Sequence, residues 1–174
     1  MSHEIRTPMN GIFGTLQVLK RCELSSEASE LLSTAIFSSK SLQVIINDIL
    51  DFSKIEADKL TLDSVAFEFE RLMQIIMSDL TPAASIKGVS LEVHYSDNFV
   101  DGWKGDPIRV QQVLLNIVSN AVKFTHQGQV RVELNCELQN NGYLLSIDVQ
   151  DSGIGIEHKR LRDIFEPFVQ AEAT

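Results

Sequence analysis

Two cysteines, four prolines and one tryptophan among 174 residues leave little covalent or rigid scaffolding. Cys22 and Cys136 stand far apart and fit neither a zinc nor a dithiol spacing. They read as buried or inert thiols of a reducing, cytosolic compartment. Long apolar runs are also missing, and none approaches the ~20 residues of a membrane-spanning helix. The opening MSHEIRTPMN carries Glu4 and no apolar core, unlike a signal peptide. Positive charge is scarce: 15 Lys and Arg against 24 Asp and Glu give a net charge of −9. Nonspecific nucleic-acid binding needs a basic face, so no nucleic-acid partner is expected. What remains is a globular composition, 44% hydrophobic and 22% charged, sized for one or two domains.

The pattern changes near residue 60. Before it, the periodicity is helical. Ile5, Met9, Ile12, Leu16 and Leu19 are spaced 4-3-4-3, a heptad-like seam. A polar break at Cys22–Ser26 follows, where Ser25 or Ser26 caps a second helix running to about Asp58. That helix carries two apolar stripes: Ala35, Leu42, Ile45, Ile49 and Phe52, and, offset from it, Leu32, Ile36, Ile46 and Leu50. A lone helical hairpin covers one stripe. A homodimer whose two hairpins form a four-helix bundle covers both, and packing on the C-terminal half is the alternative.

From Lys59 onward, strands and helices are expected in turn. Lys59–Asp63 is a short strand candidate. A helix over Phe67–Ile86 places Leu72, Ile75, Ile76, Leu80 and Ala83 on one side, with Pro82 as a kink or stop. Val89–Tyr95 alternates as a strand. Asp106 and Pro107 open a helix to about Phe124, presenting Val110, Val113, Leu114, Ile117 and Ala121. Strands over Gln129–Leu138 and Tyr143–Gln150 flank an Asn-Asn-Gly hairpin signal, and Lys159–Ile164 is a last short helix. The fold class is therefore α+β in two domains, a helical hairpin followed by an α/β sandwich of helices on antiparallel strands.

Four groups carry chemistry. His3 and Thr7 are four apart on the first helix, with Glu4 beside the histidine. Thr7 stands where the zinc-protease pattern needs a second His, so that reading fails. Pro8 removes the N–H that would bond the Glu4 carbonyl and loosens the turn. Taken alone, the trio is an ordinary solvated surface group. Asn116, Asn120 and Lys123 share one helical face opposite Val118 and Val122. Carboxamide oxygens suit Mg²⁺, and a lysine one turn on suits a phosphate, although the same face also fits a plain amphipathic helix. In Asp151-Ser152-Gly153-Ile154-Gly155-Ile156, two glycines permit close backbone approach, and a buried Asp at a strand end can accept from an exocyclic amine such as adenine's. This is neither a dinucleotide fingerprint nor a Walker loop, and by itself it is often only a turn. Phe165-Glu166-Pro167-Phe168 reads as a packed corner.

Together the four groups resemble, in order, motifs of the sensor histidine kinases. SHEIRTPMNGI resembles their H box, GDPIRVQQVLLNIVSNAVKFT their N box, DSGIGI their first glycine box and FEPFVQA their F box. KIEADKL and FEPFVQAEAT are similar to bacterial hybrid sensor kinases. The resemblance implies a dimerisation and histidine-phosphotransfer domain over residues 1–58 and a Bergerat-type ATP-binding domain over 59–174. It implies ATP and Mg²⁺ as cofactors. His3 corresponds to the phosphoacceptor, Glu4 to its base, and Thr7 to a position that helps place a water for phosphatase activity. Asn120 corresponds to the Mg²⁺ ligand, Asn116 and Lys123 to phosphate neighbours, Asp151 to the adenine contact, and Gly153 and Gly155 to the loop that admits the nucleotide. A nucleotide lid and second glycine-rich box follow the F box in the family, so the match ending at Thr174 implies a truncated ATP-binding domain. The implied partners are a second copy of the chain and a receiver domain. The implied location is the cytoplasmic part of a parent anchored in the bacterial inner membrane. Two other classes share some features: an ATP-gated conformational module of the same superfamily, and a non-catalytic dimerisation scaffold.

Overall fold

The computed structural model describes residues 2–161, with the side chains of Ser2, His3, Glu4 and Arg6 left out. The chain divides into two compact units, Met1–Thr61 and Leu62–Thr174.

The first unit is a hairpin of α1 (Ser2–Leu19) and α2 (Ser26–Glu56). The helix α1 runs through Pro8 without a break. Ser25 is the N-cap of α2, its side-chain oxygen accepting from the Ala28 N–H at 3.2 Å. The far end stops because Asp58 turns left-handed, at φ 51°, and its N–H bonds the Ile55 carbonyl. Of the two stripes on α2, Leu32, Ile36 and Ile46 are half-buried and Leu50 is buried. Leu42, Ile45 and Ile49 are exposed. The first stripe is therefore open at Leu42, Ile45 and Ile49 and half-buried at Ala35 and Phe52, and Ile46 belongs to the other stripe. Cys22, expected to be buried or inert, is exposed in the connection between the helices, whereas Cys136 is buried.

The second unit is a two-layer sandwich. Its elements are β1 (Val65–Phe67), α3 (Phe69–Lys87), β2 (Val89–Tyr95), β3 (Trp103–Gly105), α4 (Pro107–Phe124), β4 (Gly128–Gln139) and β5 (Gly142–Asp151). A 3-10 turn at His158–Arg160 follows. The main sheet has the order β2-β4-β5. β2 pairs with β4 in parallel, not antiparallel as expected, because the connection is a long crossover that contains α4. β4 and β5 form an antiparallel hairpin in which Gln139 pairs with Gly142. Val130, Val132, Leu134 and Cys136 alternate inward along β4, and α3 and α4 cover that face. Phe69, Leu72, Met73 and Ile76 of α3 and Leu114, Val118, Ala121 and Val122 of α4 fill the layer between.

Several expectations need correction. The strand sought at Lys59–Asp63 lies instead at Val65–Phe67, where it pairs with β3 in a separate two-stranded sheet. The β3 strand has no counterpart among the expected elements. Pro82 does not end α3, and the helix continues to Lys87. The core faces of both helices keep the expected Leu72, Ile76, Leu114 and Ala121 but are rotated slightly from the expected ones. Ile75 and Ala83 on α3, and Val113 and Ile117 on α4, are exposed, whereas Met73, Val118 and Val122 are buried. Ile164 and the Phe165–Phe168 corner lie outside the described residues.

Two aspartates join the layers over long sequence distances. The Asp101 carboxylate accepts from the N–H groups of Phe69 (2.6 Å) and Glu70 (3.4 Å), capping α3, whose own N-cap residue supplies no side-chain bond. Asp106 caps α4 by accepting from Ile108 and Arg109, each at 3.1 Å, and also accepts from the Asp63 N–H at 3.1 Å. These three N–H groups hold the Asp106 carboxyl below its ordinary range, the Asp63 bond most strongly.

Candidate active site

The helix α4 is amphipathic, with Leu114, Val118, Ala121 and Val122 in the core. At 100° per residue this turns Asn116, Asn120 and Lys123 outward, and all three are exposed. The Asn120 amide nitrogen donates to the Asn116 side-chain oxygen at 3.5 Å, a long and weak bond. The pairing uses the Asn120 nitrogen and leaves its carboxamide oxygen as the atom suited to a hard cation. Among the described residues, no group of three or more His, Cys, Asp or Glu is placed to hold a metal by itself. A cation here would take most of its ligands from phosphate and water, which is how Mg²⁺ is usually held. The Lys123 ammonium lies 5.1 Å from the Phe124 ring centroid.

The glycine loop meets the C-terminal end of this helix. Asp151 is the last residue of β5, opposite Val130. Its Oδ1 accepts from the Gly153 N–H at 2.8 Å, which folds the loop back over the strand end. A Cβ at Gly153 would stand 2.7 Å from the Phe124 carbonyl oxygen and 2.7 Å from Asp151 Oδ1. Only glycine allows that approach. Gly155 is required for another reason, since its φ of +69° favours a residue without a Cβ. The expectation of a buried Asp151 is corrected: the residue is exposed, with its carboxylate beside the end of α4.

Ser152 carries no role in the motif as read from sequence, yet it joins the loop to β4. Its hydroxyl oxygen accepts from the Gln129 N–H at 3.0 Å and lies 3.2 Å from the Gln127 carbonyl, within donating reach. Its own N–H bonds the Gln129 carbonyl at 3.1 Å. The available signal is a hydroxyl between the Asp and the first Gly of a strand-end turn, a residue type that bonds nearby backbone.

The structure thus brings the C-terminal end of α4, the helix that carries Asn116, Asn120 and Lys123, against the Asp151–Gly155 loop. His3, Glu4 and Thr7 lie in the first turns of α1, within the other unit, and Thr7 is exposed.

Residues 1–58 match the family described as the His Kinase A phospho-acceptor domain. Residues 105–174 match the histidine kinase-, DNA gyrase B- and HSP90-like ATPase family. The chain is 44% identical over 174 residues to the sensor histidine kinase GacS of Pseudomonas protegens, covering 99% of this chain and 19% of that protein. It is 41% identical over 174 residues to the autoinducer 2 sensor kinase/phosphatase LuxQ of Vibrio cholerae, covering 100% of this chain and 20% of that one. It therefore spans about a fifth of the length of these curated relatives. Among solved structures, full-length ShkA in complex with AMPPNP superposes with a TM-score of 0.78 at 31% identity, over 97% of this chain and 36% of that one. The Acinetobacter baumannii histidine kinase AdeS shares the fold, with a TM-score of 0.62 at 22% identity, over 95% of this chain and 79% of that one. Among the described residues no helix is long and apolar enough to cross a membrane.

Proposed function

Because the chain belongs to the sensor histidine kinases, carrying their phospho-acceptor and ATP-binding domains, we propose that it transfers the γ-phosphoryl group of ATP to its own His3 and passes it on to a receiver-domain aspartate. Residues 1–58 serve as the dimerisation and phosphotransfer domain and residues 59–174 as the ATP-binding domain. One observation carries the nucleotide reading. The close approach of Gly153 to the Phe124 carbonyl sets an accessible carboxylate against the helix that bears Asn116, Asn120 and Lys123. An adenine amine and a polyphosphate need donors and acceptors of this kind within one site.

In this reading Asp151 accepts from the adenine amine, and Lys123 meets a phosphate oxygen. Asn120, with Asn116 beside it, would hold Mg²⁺ through carboxamide oxygen. A bound Mg²⁺ offsets charge on the β- and γ-phosphates, where most of the catalysis of phosphoryl transfer lies. His3 supplies a neutral ring nitrogen whose lone pair forms the N–P bond as the bond from phosphorus to ADP oxygen breaks. Glu4 accepts a hydrogen bond from the other ring N–H and stabilises the growing imidazolium. Thr7, about one turn along, positions a water for dephosphorylation of the receiver. The exposed Leu42, Ile45 and Ile49 support pairing of the hairpin with a second copy in a four-helix bundle. A longer, hybrid parent anchored in the inner membrane completes the proposal.

The test is Asp151→Asn in the full-length kinase. The change keeps the size and removes the charge of the acceptor. ATP affinity should fall roughly 10- to 100-fold, as loss of a charge-assisted contact of about 1.5–3 kcal/mol dictates, while GTP binding stays negligible. Equal ATP affinity in variant and parent would contradict the assignment.

A further inference from the structure

We propose that Lys87, outside every motif described above, is a positioning residue for the nucleotide site. Its ammonium donates to the carbonyls of Val122 (3.0 Å) and Lys123 (2.6 Å). These are two of the last four carbonyls of α4, which have no partner within the helix. A third, that of Ala121, accepts from the Thr125 N–H at 3.0 Å. The fourth, that of Phe124, is the one against which Gly153 packs. The final turn of α4 is thus held by Lys87 on one side and seats the glycine loop on the other.

The anchor is itself fixed. Lys87 is the last residue of α3, and the Gly88 N–H closes that helix on the Ala84 and Ser85 carbonyls. Val89 then pairs directly with Gly128 at the start of β4. A cation at a helix C-terminus also opposes the negative end of the helix dipole. The inference rests on the nucleotide reading above and extends it. Lys123 and Asp151 approach the ligand from different elements, and both depend on where this turn sits. A continuous chain of contacts links them: Lys87 Nζ to the Lys123 carbonyl, the adjacent Phe124 carbonyl to Gly153, and the Gly153 N–H to Asp151 Oδ1. Loss of the ammonium frees the turn, and the two ligand-facing side chains then lose their register.

The experiment compares Lys87→Met, which keeps the apolar stem, with Lys87→Arg, which keeps donors and charge, in the full-length kinase. ATP titration, KM and kcat for autophosphorylation, and melting temperature are read for each. The KM for ATP and the Kd should rise about tenfold in the Met variant, the change expected when a charge-assisted bond that shapes a site is removed. The kcat at saturating ATP should stay within about twofold, and Arg should restore most of the affinity. A helix cap with no bearing on the ligand would lower the melting temperature and leave KM unchanged, and that result overturns the proposal. If the Met variant does not fold, Lys87→Gln against Lys87→Arg decides by the same split. Absence of ATP binding by the unmodified kinase would overturn the nucleotide reading and this inference together. ATP binding that is intact in the parent and weakened in Asp151→Asn, but unchanged in Lys87→Met, would overturn the role of Lys87 alone.

Discussion

The two units of this chain solve the problem of burial differently. In the α/β unit, thirteen buried apolar residues from two helices and the sheet form one cluster. In the hairpin unit, the buried residues among those described are Met9, Ser39 and Leu50, while Leu31, Phe37, Leu42, Val44, Ile45 and Ile49 of α2 are exposed. Conformational entropy opposes folding in both, and only the first has an apolar core to offset it within a single chain. The hairpin is an element that awaits another surface. The α/β unit has a buried core of its own, with the Asp151–Gly155 loop at the end of β5. Such a division fits the proposal that the phospho-acceptor belongs to a shared bundle and the nucleotide to each subunit.

Charging the exposed residues of α2 should separate the two units most strongly. The double variant Ile45→Asp, Ile49→Asp would place unpaired carboxylates in the dimer seam at a cost of several kcal/mol. Sedimentation should show monomer, with ATP binding by the α/β unit retained. A dimer that persists would place the stripe's partner elsewhere. The reciprocal change is Met73→Ala. Met73 is fully buried in the α/β core, and its truncation should destabilise that unit by about 2–5 kcal/mol. The dimer should survive, as judged by sedimentation at temperatures where the α/β transition has not begun. Simultaneous loss of dimer and ATP binding in either variant would show that the units fold as one.

The smallest effect is one of pH. Asp106 ties Asp63 and the first turn of α4 together, and its carboxyl is depressed from an ordinary value of 3.8. A depressed carboxyl stabilises the fold above its unfolded value and loses that contribution as pH falls through its folded value. Urea midpoints of parent and Asp106→Asn should therefore differ at neutral pH and converge as the solution is acidified below about pH 4. Parallel curves down to about pH 3 would remove the charge from the account.

Local chemistry makes much of this legible in the sequence. Asp106-Pro107 announces α4 to the residue, and period-two alternation announces β2 over Val89–Tyr95. The Asn-Asn-Gly turn announces the β4–β5 hairpin. The misses share a physical cause. A three-residue strand such as β3 has too little length for a period, and its partner β1 lies about forty residues upstream in sequence. The faces of α3 and α4 are easily misjudged because both helices carry apolar residues on more than one side. Periodicity does not tell which side will meet the sheet. Long-range polar contacts are invisible for a related reason. Lys87 looks like any lysine at a helix end, and Asp101 like any loop aspartate, until the carbonyls and N–H groups they reach, more than 30 residues away, are in place. At the site, the identities of Asn120, Asp151 and Gly153 are readable as a motif, but the separate reasons for Gly153 and Gly155 are not. One is close contact, and the other is backbone angle.

In the proposed reading the hairpin carries the phospho-acceptor and the α/β unit binds the ATP. The most direct measurement incubates the full-length kinase with radiolabelled ATP and maps the modified residue. Acid-labile, alkali-stable phosphate should appear on His3 and be abolished by His3→Gln, with ATP affinity of that variant unchanged. Phosphate that persists after His3→Gln, or a parent that binds ATP and never becomes phosphorylated, would contradict it.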